Sequence, residues 1–121
     1  MTPSRQTALI TGAGNGIGRA IAIAMAENDR NVVCADIDLS AAETTAATIR
    51  QLGVEATALK VDVGETSEIS NMIQDIERQF GRLDILVNNA GVTRAADITV
   101  SYTHLRAHET RGNLVCRLLL E

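Results

Sequence analysis

Over its first ninety residues the chain alternates between short unbroken apolar runs and stretches with helical spacing. Thr7 to Ile10 is an apolar run that ends at a glycine-rich turn, and it predicts a strand. The turn leads into a helical pattern that sets Ile17, Ala20, Ile21 and Ala24 on one face. Asn31 to Asp36, centred on Val32, Val33 and Cys34, predicts a second strand. Ser40-Ala41-Ala42-Glu43 has the spacing of a capping box and predicts the start of a second helix, with Gly53 suited to its end. Glu55 to Val61 predicts a third strand. Ile69, Met72, Ile73, Ile76 and Phe80 form a helical stripe closed by Gly81, and Leu83 to Asn88 follows as a fourth strand. The unbroken row Ile85-Leu86-Val87 suits a strand covered on both faces. Strand and helix repeated three times, then a strand, predict an α/β layer with a parallel sheet and right-handed crossovers.

Composition narrows this picture. The 121 residues suit one domain, with 45% hydrophobic but only 2% aromatic residues, so the core must be built from Ala, Val, Ile and Leu. A net charge of −4 argues against nucleic acid as a partner. The apolar run Ala20 to Ala26 falls far short of a bilayer span, and Met1 to Arg5 shows no apolar signal region, so a cytoplasmic location is expected. Cys34 and Cys116 form no Cys-x-x-Cys pair, and Cys34 reads as a small buried hydrophobe.

The candidate chemistry sits between the first strand and the first helix, at Thr11-Gly12-Ala13-Gly14-Asn15-Gly16-Ile17-Gly18. Glycines here let backbone approach a pyrophosphate, and the helix N-terminus offers it free N–H groups. The general Gly-x-Gly-x-x-Gly fingerprint does not fit, because Ile17 holds its last position; Thr-Gly-x-x-x-Gly-x-Gly does, through Thr11, Gly12, Gly16 and Gly18. Asp36 ends the second strand, eighteen positions after Gly18. A carboxylate there can accept from the ribose hydroxyls of an adenosine and would repel a 2′-phosphate, although a surface capping role would also suit it. With the uncharged Ile37 following it and an uncharged Asn15 within the glycine turn, NAD is favoured over NADP.

Taken together, these residues resemble the short-chain dehydrogenase/reductase family, which implies an α/β, Rossmann-like, doubly wound parallel sheet. Thr11 to Gly18 is similar to its cofactor turn, Asp36 to its ribose-binding acid, Asp62-Val63 to the pair beside the adenine, and Asn88-Asn89-Ala90-Gly91 to the signature ending its fourth strand. The resemblance implies that Gly12, Asn15, Gly16, Ile17 and Gly18 wrap the pyrophosphate. It implies that Asp62 and Val63 contact the adenine, and that Asn89, Ala90 and Gly91 pass near the nicotinamide ribose. Asn88 and Asn89 serve a structural role equally well, since buried amides tie strands together. The implied activity is hydride transfer between nicotinamide and a carbonyl or alcohol carbon of a small molecule. In the family a Tyr serves as acid or base, a Lys lowers its pKa and a Ser orients the substrate. None of the three is assignable here.

The resemblance covers roughly residues 5 to 98, which sets a dinucleotide-binding half-domain at 1–99, with four strands and three helices, and an unrelated tail at 100–121. The tail is similar to a peptide that recurs on unrelated proteins, of the kind translated sequencing-adapter DNA produces. Tyr102 and Arg106 mimic Tyr-x-x-x-Lys poorly. His104, His108 and Glu109 lack a further ligand with supporting spacing, so no metal is expected. Asn113 falls near the place of a family active-site Asn and is not assigned. The expectation is thus an inactive N-terminal fragment of an NAD-dependent oxidoreductase whose full-length form is a homo-oligomer. The alternatives are a non-catalytic dinucleotide-binding module or an interaction module. Without a neighbour for the fourth strand, its open apolar edge predicts poor solubility and weak binding.

Overall fold

In a computed structural model, residues 5–62 and 64–89 are described, together with the backbone of 115–118. The elements run β1 (Thr7–Thr11), α1 (Gly16–Glu27), β2 (Asn31–Asp36), α2 (Leu39–Arg50), β3 (Ala56–Lys60), α3 (Thr66–Phe80), β4 (Ile85–Asn88) and β5 (Val115–Leu118). The strands form one sheet in the order β3-β2-β1-β4-β5, and every pairing is parallel.

Alternation along each strand divides the core into two layers. Ala8 and Ile10 of β1, Val32 and Cys34 of β2, and Ile85 and Val87 of β4 face α1 and α2. Leu9, Val33, Ala35 and Leu86 face α3. The chain steps from β1 outward to β3, then returns across β1 to β4. Keeping one crossover hand through that reversal puts α3 on the opposite face from α1 and α2. In doubly wound sheets such a reversal marks the ligand crevice at the carboxyl ends of the strands that flank it, here β1 and β4.

Three expectations change. The face of α1 that meets the sheet is Gly18, Ala22 and Ala26, whereas Ile17 is 54% exposed. Small side chains win because the helix lies close against the strands behind the glycine turn, where Ile would not fit. The second helix is capped by Asp38, whose carboxylate accepts the Ala41 N–H at 3.2 Å, so Ser40 lies inside the helix instead of at its cap. Finally, β4 does not end the sheet: β5 pairs with it from Ile85–Val115 to Asn88–Leu118. The tail holding Val-Cys-Arg-Leu was assigned no element from sequence.

The third helix follows expectation. Ile69, Met72, Ile73 and Ile76 are buried, and Gly81 closes the helix at φ 75°. At the opposite end of the sheet from the crevice, Asp84 accepts the Thr7 N–H at 2.9 Å and takes a two-pronged pair from Arg82 at 2.7 Å. This link fixes the start of β1 against β4.

Candidate cofactor-binding site

Parallel strands bring their carboxyl ends to one edge, and that edge collects the expected site residues. The glycine turn follows β1, Asp36 closes β2, Asp62 follows β3 and Asn89 follows β4. Val63, Ala90 and Gly91 lie outside the described residues, as do the tail positions Tyr102, Arg106, His104, His108, Glu109 and Asn113.

The turn is shaped by backbone that only glycine adopts easily. Gly12 and Gly16 sit at φ 66° and 55°. No described atom would lie within 4 Å of a Cβ at Gly16, so the turn is open there. Gly18 is the reverse case: a Cβ would stand 2.0 Å from the Gly12 carbonyl oxygen and 2.6 Å from Asn89 Nδ2. The first turn of α1 therefore nests against the glycine loop and the end of β4. Asn15 stands at the N-cap of α1 but makes no side-chain cap hydrogen bond, and no acid occupies the first turn. An uncapped helix N-terminus behind an open glycine turn is suited to an anion.

Other contacts tie this turn to its surroundings. The Thr11 hydroxyl donates to Asn88 Oδ1 at 2.6 Å and accepts the Asn89 N–H at 3.0 Å. Ala13 donates its N–H to the Ala35 carbonyl at 3.1 Å, and Thr45 donates its hydroxyl to the Ala13 carbonyl at 3.0 Å. Asp36 accepts from Gly14 N–H through Oδ2 at 2.9 Å and from Asp38 N–H through Oδ1 at 3.0 Å. Asn89 Oδ1 is buried and meets no donor among the described residues. Asp62 accepts the Gly64 N–H at 2.9 Å, while its own N–H donates to Glu68 Oε1 at 2.9 Å; these bonds shape the turn into α3.

Sequence reasoning missed Gly14 and Thr45, both now part of the turn's support. For Gly14 the available signal was its place in the turn, two residues before Gly16. Nothing in the pattern marked Thr45, which looks like any polar residue of an amphipathic helix.

Elsewhere, a pocket of about 170 Å³ lies between β3 and α3 against Lys60, Glu68 and Asp75, away from the glycine turn. Among the described residues no group of His, Cys, Asp and Glu could hold a metal ion, and no helix is long and apolar enough to cross a membrane. Cys34 is fully buried, and burial pushes its thiol up to about 12, with Arg50 pulling the other way.

Comparison with known proteins gives a consistent picture. The profile of the short chain dehydrogenase family matches residues 6–107, beyond the boundary near 99 expected from sequence. A 3-oxoacyl-(acyl-carrier-protein) reductase of Staphylococcus aureus is 42% identical over 90 residues, covering 74% of this chain and 37% of that protein. The galactitol 2-dehydrogenase of Agrobacterium fabrum is 42% identical over 98 residues, covering 81% of this chain and 37% of that protein. The chain therefore spans a little over a third of the length of these curated relatives. Among solved structures, an NAD+-bound xylitol dehydrogenase superposes with a TM-score of 0.80 at 25% identity, covering 93% of this chain and 52% of the other.

Proposed function

Because the chain belongs to the short-chain dehydrogenase family, we propose that it holds NAD in the crevice beside β1, for hydride transfer between nicotinamide and a carbonyl or alcohol carbon. The observation that carries this reading is the Asp36 carboxylate, standing at the end of β2 and tied to the glycine turn through the Gly14 N–H.

In this reading Gly12, Asn15, Gly16, Ile17 and Gly18 face the pyrophosphate, with the uncapped start of α1 as the positive end of a helix dipole. Asp36 accepts from the adenosine ribose hydroxyls. Asp62 and Val63 border the adenine. Asn89, Ala90 and Gly91 border the nicotinamide ribose, where the buried Asn89 Oδ1 suits a hydroxyl donor. Bound NAD supplies the redox chemistry, and the chain's residues position it.

NAD is preferred to NADP because Asp36 would oppose a 2′-phosphate and the neighbouring Ile37, 62% exposed, offers no positive charge. The NAD+-bound dehydrogenase of the same fold supports that choice. Titration with NADH and NADPH tests it. NADH is expected to bind tighter by about tenfold or more, and tighter NADPH binding would sink the assignment.

No Tyr-x-x-x-Lys occurs in the 121 residues, so no described residue is assigned the proton transfer, and binding without turnover is proposed for this chain. The alternative reading is a module that holds a dinucleotide without catalysing anything. We also propose that the residues beyond the family match, 108–121, are foreign to the family. Source DNA read past the codon for Thr99 separates these readings. Continuation into a Ser and Tyr-x-x-x-Lys supports the oxidoreductase, whereas an open frame through the present tail refutes its foreign origin.

A further inference from the structure

Gly14 occupies one of the free positions of the Thr-Gly-x-x-x-Gly-x-Gly pattern, and its role follows from three contacts. Its N–H donates to Asp36 Oδ2 at 2.9 Å. A Cβ placed on it would stand 2.5 Å from the Ala41 Cβ, 2.9 Å from Asp36 Oδ2 and 3.1 Å from the Ala41 carbonyl carbon. The residue before it is clamped from two sides, by Ala35 of β2 and by Thr45 of α2. The turn therefore cannot retreat from a bulkier residue without breaking one of these bonds. Either Asp36 or the first turn of α2 has to yield.

Each oxygen of Asp36 is already engaged by one backbone N–H, Gly14 on Oδ2 and Asp38 on Oδ1. A carboxylate oxygen accepts about two hydrogen bonds. One place on each oxygen is left, and the paired hydroxyls of a ribose need two acceptors side by side. We propose that Gly14 is a positioning residue for cofactor selection. Its N–H and its missing side chain hold the Asp36 carboxylate in the one orientation that presents both oxygens to a ribose diol. Asp38, fixed in turn as the cap of α2, holds the other oxygen. The selecting carboxylate is thus a three-part assembly of the glycine turn, the end of β2 and the start of α2.

This inference rests on the reading of Asp36 as the ribose acid, and the test separates the two. ADP-ribose and its 2′-deoxy analogue are titrated into the full chain and its variants. Wild type is expected to favour ADP-ribose by about tenfold, the scale of a hydrogen bond to a charged acceptor. Gly14→Ala is expected to lose most of that ratio, and Gly14→Ala with Ala41→Gly to regain part of it, because the 2.5 Å clash is removed while the 2.9 Å approach to Asp36 Oδ2 remains. A merely structural effect would weaken both ligands alike and leave the ratio unchanged. Such a result, in a wild type that discriminates, overturns the role of Gly14 while leaving Asp36 standing. A wild type that takes both analogues alike, or neither, overturns the Asp36 reading and the inference with it. The Gly14 amide proton gives a measurement on the unliganded wild-type fold. It should resonate downfield and move upfield in Asp36→Ala; an unmoved resonance also overturns the inference.

Discussion

Thr11 and Asn88 join the two strands that border the crevice, the hydroxyl of one donating to the side-chain oxygen of the other at 2.6 Å. The same hydroxyl accepts the Asn89 N–H at 3.0 Å. One oxygen thus sets the end of β1, the end of β4 and the first residue beyond it.

Thr11→Val keeps the shape and removes that oxygen. The half-buried Asn89 N–H loses its acceptor and Asn88 Oδ1 loses the Thr11 donor, a loss of about 1–3 kcal/mol. Urea unfolding is expected to show this decrease together with weaker NADH binding, because Asn89 is no longer held. Thr11→Ser retains the hydroxyl and should remain near wild type in both measurements.

Gly16 and Gly18 differ by one intervening residue yet should respond very differently to alanine. At Gly18 the new Cβ would lie 2.0 Å from a backbone oxygen, and neither partner can swing away. A stability loss above about 3 kcal/mol is expected, with no measurable NADH binding. At Gly16 no described atom stands within 4 Å of the new Cβ, but φ is 55°. The loss there should be about 1–2 kcal/mol, the strain of a left-handed residue. Equal losses in calorimetric melts of the two variants would contradict the packing described.

Cys34 makes stability depend on alkaline pH. Its thiol ionises near 9.0 when free and near 12 in the fold, so the folded chain keeps its proton after the unfolded chain has released one. The contribution is complete below pH 9 and declines toward pH 12, by at most about 1.4 kcal/mol per unit. Unfolding of Cys116→Ser compared with Cys116→Ser/Cys34→Ala isolates the effect. Only the first should show this slope, and only its unfolded state should react quickly with a thiol reagent at pH 8.

The pairing of β5 with β4 also has a solution consequence. Removing residues 100–121 exposes the backbone edge of β4 along its buried row Ile85-Leu86-Val87. The truncated chain is expected to form larger species in sedimentation at concentrations where the 121-residue chain does not.

How much of this was legible in the sequence follows from what each residue contributes to hydrophobic patterning. Unbroken rows such as Val32-Val33-Cys34 revealed β2, and the wide stripe Ile69, Met72, Ile73 and Ile76 revealed α3. The inner face of α1 was misread because it is made of Gly18, Ala22 and Ala26. Close approach selects against size there, so the largest apolar side chain, Ile17, points outward. Asp38 displaced Ser40 as cap because capping depends on where the backbone leaves the extended region, which periodicity does not locate to a single residue. For the site, the chain order of motifs was enough to gather Gly12 to Gly18, Asp36, Asp62 and Asn89 at one edge. The contacts of Gly14 with Asp36 and of Thr45 with Ala13 join residues remote in sequence, and no local pattern encodes them.

The strand order has a consequence for how the chain acquires its shape. The first strand made is the one at the middle of the sheet, and its β4 partner arrives 77 residues later at the Thr11–Asn88 contact. During synthesis, β1 to β3 can assemble early with α1 and α2 over one face. Leu9, Val33 and Ala35 on the other face wait for α3. Closing so long a loop is slow, and a half-covered sheet is sticky. The β1–β4 edge is therefore expected to close only after α3 and β4 have been made, and a ligand seated there would act late in folding, by trapping the closed sheet.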